Sequence, residues 1–351
     1  MAQRTALVAG ALGITGRAVL EHLERDPSWN LIAMTRRKPD FPTRARLLPV
    51  DLTDAADTRA KIGALPEVTH VFYCAFLQGR NFAEEIAPNM AMLANLLDAL
   101  EPVAKTLAHV QLMHGAKWYG MQLGTLFPTP AREDDPRHIP PNFYFDQQDW
   151  LVERRKGKAW SWSTIRPLGI WGPSVDSYMN MINSFAVFAS TCKALGLPLQ
   201  WPGHPGTFDR MVQICDTATL GHAMAWTATE PRAADMAFNV TNGDVTRWRR
   251  LWPKVSAFFD MPAGPPRPLK LSTVMADKEP LWAELVKRHG LRPYTIARLS
   301  NWAFPDYAWW NDFDQVLDTN RLRLTGFPGF RDTEATITDQ LQRLRDDRII
   351  P

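Results

Sequence analysis

At 351 residues the chain exceeds one compact core of ordinary size, and a doubly wound domain carrying a smaller second portion fits the length. A formal charge of +3, left over from 40 basic and 37 acidic residues, gives no reason to expect a nucleic-acid partner. The three cysteines, Cys74, Cys192 and Cys215, have neither CxxC nor metal-ligand spacing, so they read as buried thiols. No apolar run approaches the roughly eighteen residues of a membrane span.

The first predicted strand, Thr5 to Ala9, runs straight into Gly10-Ala11-Leu12-Gly13-Ile14-Thr15-Gly16, and apolar residues at helical spacing follow. A strand that ends in closely spaced glycines and turns into a helix lets backbone approach a pyrophosphate, and aims the helix N-terminus at its negative charge. Gly10, Leu12, Gly13, Ile14 and Gly16 are therefore the candidate cofactor cradle. A secretory leader fits this stretch poorly, because glycines interrupt the apolar run and charges of both signs come next, so the chain reads as cytoplasmic.

A second predicted strand, Asn30 to Thr35, ends in Arg36-Arg37-Lys38. An acid at this point suits the ribose hydroxyl of NAD, whereas cations suit the 2′-phosphate of NADP. Arg36 and Arg37 are thus candidate NADPH contacts, against the plainer reading of a solvated basic turn. Arg46 to Val50 predicts a third strand closing on Asp51-Leu52, with Thr53 or Asp54 capping a helix to Ile62. Thr69 to Phe76 is nearly all apolar, as a strand buried on both faces must be. A helix over Glu84 to Leu100 carries Met90, Leu93, Ala94, Leu97 and Leu100 as its core stripe. The fifth strand, Ala108 to His114, runs into Gly115-Ala116-Lys117-Trp118-Tyr119-Gly120. Ligands of open parallel sheets bind beyond strand C-termini, which makes Lys117 a functional candidate and His114 a packed strand-end histidine.

Pro141-Asn142-Phe143-Tyr144-Phe145-Asp146-Gln147-Gln148-Asp149 opens a helix that continues through Trp150-Leu151-Val152, and a sixth strand, Ser161 to Pro167, ends in Arg-Pro. Beyond it proline, glycine and tryptophan dominate, and most of the 14 Trp and 28 Pro lie in this half. The composition divides the chain into a dinucleotide-binding domain over 1–170, completed by 208–245, and a mostly helical cap over 171–207 and 246–351. Its tryptophans fit an aromatic-lined pocket or aromatic core filling equally well.

The GxxGxxG spacing resembles the short-chain dehydrogenase/reductase superfamily. Most of those enzymes carry Tyr and Lys four residues apart on one helix, with a Ser or Thr on the preceding strand. Here Gln148 stands four after Tyr144, and Leu123 four after Tyr119. GALGITG, HGAKWYG, NFYF followed by Asp149, RPLGIWGP, NVTNGDVTRW, GFPGFRDT and the closing Ile349-Ile350-Pro351 occur together in this order. Their combination resembles the progesterone 5β-reductase and iridoid synthase-like family, an atypical extended branch of that superfamily.

The resemblance implies a Rossmann-type doubly wound α/β sheet with a substrate-binding cap. It implies NADPH as cofactor and reduction of the C=C bond of apolar α,β-unsaturated carbonyl compounds. Tyr144 and Lys117 map onto the catalytic pair and also onto cofactor contacts, with Lys117 expected to lower the Tyr144 pKa. Asp51, with Leu52 beside it, maps onto the adenine contact. Tyr144-Phe145 stands where the family often has Tyr-Tyr. Carbonyl (1,2) reduction on the same site and a non-catalytic dinucleotide sensor are the alternatives. The partner expected is a small unsaturated carbonyl compound, with no nucleic acid, membrane or metal, and a homodimer stays open.

Overall fold

The structure, a computed structural model, describes residues 3–124 and 128–351. It divides into two compact units: Met1–Pro167 with Thr217–Val240 and Asp318–Gly329, and Leu168–Asp216 with Thr241–Leu317 and Phe330–Pro351.

The first unit is built on a seven-stranded sheet. In chain order its elements are β1 (Arg4–Ala9), α1 (Ile14–Leu23), β2 (Trp29–Met34), β3 (Arg46–Leu48), α2 (Ala55–Ile62), β4 (His70–Tyr73) and α3 (Phe82–Leu100). They continue with β5 (His109–Met113), α4 (Phe143–Arg155), β6 (Ser161–Pro167), α5 (Thr217–Thr229) and β7 (Met236–Val240). The strands lie parallel in the order β7-β6-β5-β4-β1-β2-β3. The order reverses between β1 and β4, which opens a crevice beyond their C-terminal ends.

Local chemistry sets the element ends. β3 stops at Leu48 because Pro49 has no N–H for the ladder. Asp54 caps α2 by accepting from the Ala56 and Asp57 amides, while Thr53 bonds Asp51 instead. Asn81 caps α3 through the Glu84 amide, so this helix starts at Phe82, two residues before the expected Glu84. Its buried stripe is Met92, Leu93, Leu96, Leu97, Ala99 and Leu100, rotated slightly from the expected one.

The second unit is mostly helical with three two-stranded pairs. Trp171, Trp201, Trp248, Trp252 and Trp309 are all buried, with ring centroids 4.8–6.1 Å apart around Phe185. Their polar edges are used as well: Trp252 donates to the Leu199 carbonyl and Trp282 to that of Tyr294. These tryptophans fill a core; they do not line a pocket.

The unit boundaries depart from those composition suggests. Residues 211–216 belong with the second unit because Cys215-Asp216 pairs with Ile170-Trp171, and Met211-Val212 with Thr246-Arg247. Residues 318–329 belong with the first. The Asp318 amide donates to the Ala131 carbonyl, and Asn239 of β7 and Trp226 of α5 donate to Asp318 and Thr325.

Among the described residues no helix is long and apolar enough to cross a membrane.

Candidate active site

The turn from β1 into α1 forms the first part of the site. Gly10 has φ +72°, and a Cβ there would stand 2.7 Å from the Cys74 carbonyl oxygen. A Cβ on Gly16 would meet the Gly10 oxygen at 2.3 Å, so both positions exclude any side chain. Gly13 is the N-cap of α1 and provides no side-chain cap, and the first turn holds no acid. No acid of its own first turn therefore offsets the positive end of this helix. The Leu12 and Ile14 side chains are buried. This cradle fits a pyrophosphate.

Beyond β2, Arg36, Arg37 and Lys38 are exposed, and Arg36 Nη1 lies 3.0 Å from Asp51 Oδ2. The Asp51 carboxylate also accepts from the Thr53 amide and hydroxyl. Those bonds and Arg36 hold its pKa below the usual carboxylate range. Leu52 is buried, and its carbonyl accepts from Asn95 Nδ2 at 2.9 Å. Arg17, one residue past the cradle, is buried against Glu21 and over the Phe41 ring at 4.2 Å, tying α1 to the segment after Arg36-Arg37-Lys38.

The second part of the site is the segment after β5. Lys117 lies on a 3₁₀ turn over Ala116–Tyr119, with its Nζ 5.6 Å from the Phe76 ring centroid and 6.0 Å from that of Phe82. Tyr144 opens α4, half-buried, its ring stacked on His114 at 4.5 Å and edge-on to Phe143 at 4.6 Å. A Cβ on Gly115 would lie 3.9 Å from the Tyr144 hydroxyl, which places that hydroxyl at the C-terminal end of β5. His114 is buried between Tyr144 and Trp118, and burial drives its pKa well below the ordinary range, so it is neutral.

Asn142, which the sequence reading did not single out, joins the two candidates. As N-cap of α4 its Oδ1 accepts from the Tyr144 amide at 3.1 Å, while its Nδ2 donates to the Lys117 carbonyl at 2.9 Å. Its second N–H meets His138 Nε2 at 3.1 Å, and the 2.7 Å contact of His138 Nδ1 with the Ile139 carbonyl assigns the tautomer. The Asn before an aromatic helix start was the available sequence signal.

Gln148, where most short-chain dehydrogenases have their lysine, accepts from buried Arg166 Nη2 at 2.9 Å and from Thr164 Oγ1 at 3.2 Å. Arg166 lies 3.6 Å over the Trp118 ring, and a lysine at 148 would face its guanidinium. The lysine position is thus closed to a cation here.

One expectation is corrected. The Tyr144 pKa is raised, not lowered, first by desolvation and then by the Glu85 carboxylate. Glu85, in the first turn of α3, is buried and its pKa is itself raised by burial, with Lys117 and the Gly79 amide acting the other way. A phenol so placed is a donor that keeps its proton. Among the described residues no cluster of His, Cys, Asp or Glu could hold a metal ion.

Sheet order, glycine turn and the Tyr144 and Lys117 placement together define a Rossmann-fold protein of the short-chain dehydrogenase/reductase class. The PRISE-like Rossmann-fold domain profile matches residues 6–351, and the chain belongs to that family. It is 31% identical over 370 residues to an (S)-8-oxocitronellyl enol synthase of Nepeta racemosa, covering 99% of this chain and 94% of that one. It is 30% identical to a 3-oxo-Delta(4,5)-steroid 5-beta-reductase of Arabidopsis thaliana, covering 99% and 94%. In structure it is similar to a short-chain dehydrogenase/reductase superfamily protein of Agrobacterium tumefaciens solved with bound NAD (TM-score 0.66, 14% identity, 99% and 98% covered). The chain is an oxidoreductase of this class.

Proposed function

We propose that the protein is an NADPH-dependent reductase of the C=C bond of apolar α,β-unsaturated carbonyl compounds, with Tyr144 and Lys117 as catalytic residues. The observation that carries this reading is a phenol at the end of β5 whose surroundings keep it protonated. Gly10, Leu12, Gly13, Ile14 and Gly16 hold the pyrophosphate, Arg36 and Arg37 the 2′-phosphate, and Asp51 and Leu52 border the adenine. NADPH bound there would supply a hydride for the substrate β-carbon.

As the C=C electrons move onto the carbonyl oxygen, the Tyr144 hydroxyl donates a hydrogen bond to the growing charge. A donor reluctant to ionise stabilises that enolate oxygen without surrendering its proton. The α-carbon then takes a proton from solvent, and a saturated carbonyl compound leaves. Lys117 would contact the cofactor and add positive potential near the same oxygen. The stack of Phe76 on Phe143, 5.5 Å between centroids, gives the neighbourhood an apolar wall suited to a hydrocarbon substrate. The names of the enol synthase and 5-beta-reductase relatives support the same chemistry.

The test is incubation of an enal with NADPH and identification of the product. The saturated aldehyde is expected, and an allylic alcohol as main product refutes 1,4-reduction in favour of carbonyl reduction.

A further inference from the structure

Three titratable groups, Tyr144, Lys117 and Glu85, are coupled electrostatically, and the reading above uses two of them. The third, Glu85, sits on the first turn of α3, 5% exposed. Phe82, one helical turn before it, lies under the Lys117 ammonium, which puts Glu85 on the face of α3 turned toward Lys117. The groups coupled to Glu85 electrostatically are the Lys117 ammonium from the 3₁₀ turn and the Tyr144 phenol from α4, and the Gly79 amide from the loop before α3 donates to it. His114, stacked on Tyr144, is neutral. Glu84, the neighbouring acid, turns outward to Arg80 and Asn81. Burying a carboxyl in this way is costly unless a partner compensates. A carboxyl with no task would be expected at the surface.

We propose that Glu85 is a positioning residue of this centre, restraining the Lys117 ammonium and keeping the Tyr144 hydroxyl in its donor form. The proposal rests on the assignment of Tyr144 and Lys117 given above. A negative charge near the phenol opposes its ionisation, so an ionised Glu85 guards the donor at high pH. The same charge attracts Lys117 and fixes its reach toward the cofactor. Protonating Glu85 removes both effects, and burial moves that event above the ordinary carboxylate range.

The test compares the parent with Glu85→Gln and Glu85→Asp. The pH profile of kcat/KM on an enone is measured, together with the NADPH Kd by fluorescence titration. Glu85→Gln keeps the shape of the side chain and its bond with Gly79 but loses the charge. The expected results are loss of the acidic limb, an alkaline limb moved to lower pH, kcat lowered by roughly tenfold with KM little changed, and a weaker NADPH Kd. Glu85→Asp should restore an acidic limb. Glu85→Gln profiles that overlay the parent in both limbs, with the same Kd, overturn the proposal. If the parent binds NADPH but reduces no enone, the reaction assignment fails by itself. The Kd comparison then decides Glu85, an unchanged Kd counting against it and a weakened one supporting it.

Discussion

Asn142 offers a sharp test of the site because its two ends do different work. Asn142→Ala removes the α4 cap, worth about 1 kcal/mol, and the tether to the Lys117 carbonyl, worth about 1 kcal/mol more. A total of about 2 kcal/mol corresponds to a melting shift of roughly 4–8 °C for a unit of this size. Asn142→Ser keeps an N-cap oxygen for the Tyr144 amide but has no N–H able to reach Lys117. It should therefore recover about half the lost stability. Activity should not follow stability. With Lys117 free to drift relative to Tyr144, a displacement of about 1 Å costs on the order of a hundredfold in kcat, and both variants should show it. Thermal melts and kcat with NADPH and an enone are the measurements. Asn142→Ser with parental kcat refutes the tether, and Asn142→Ala with parental melting refutes the cap.

Three further predictions follow from the same geometry. Tyr144→Phe should lose roughly two to three decades of kcat while NADPH Kd stays near the parent's, since the Gly10 to Gly16 cradle is untouched; full activity removes Tyr144 from the mechanism. Arg36→Ala and Arg37→Ala should each narrow the NADPH over NADH preference by one to two decades through lost charge-assisted contacts, and Kd ratios equal to the parent's refute that assignment. His109 is buried between the Ser161 and Ser163 hydroxyls at 2.8 Å each, and burial lowers its pKa from 6.5 to about 3. The unfolded chain therefore binds the extra proton first, and stability falls as pH drops below 6.5 toward that lowered value. By pH 5 this one histidine accounts for roughly 2 kcal/mol. Denaturant unfolding at pH 7 and pH 5 should show a smaller acid loss in His109→Gln, and an equal loss counts against the argument.

The sequence alone determined the features that depend on neighbours along the chain. Strand-glycine-helix order fixes the phosphate cradle, because the conformational freedom of Gly10 and Gly16 is a local backbone property. Apolar strands at regular intervals fix the doubly wound sheet, and Thr53-Asp54 marks a helix start whose capping residue the structure assigns to Asp54. The tertiary structure decided what depends on residues far apart. Whether tryptophans line a pocket or fill a core is a matter of which faces meet, and only the packing of Trp171, Trp201, Trp248, Trp252 and Trp309 around Phe185 resolved it. Composition placed 318–329 with its sequence neighbours, whereas hydrogen bonds to Ala131 and Asn239 place it against β7. The ionisation of Tyr144 shows the same division. A lysine in a recognisable motif suggested a lowered pKa, but desolvation and the carboxyl of Glu85, fifty-nine positions earlier, act in the opposite direction. Electrostatics depends on distance through space and on local dielectric, and neither is written in residue order.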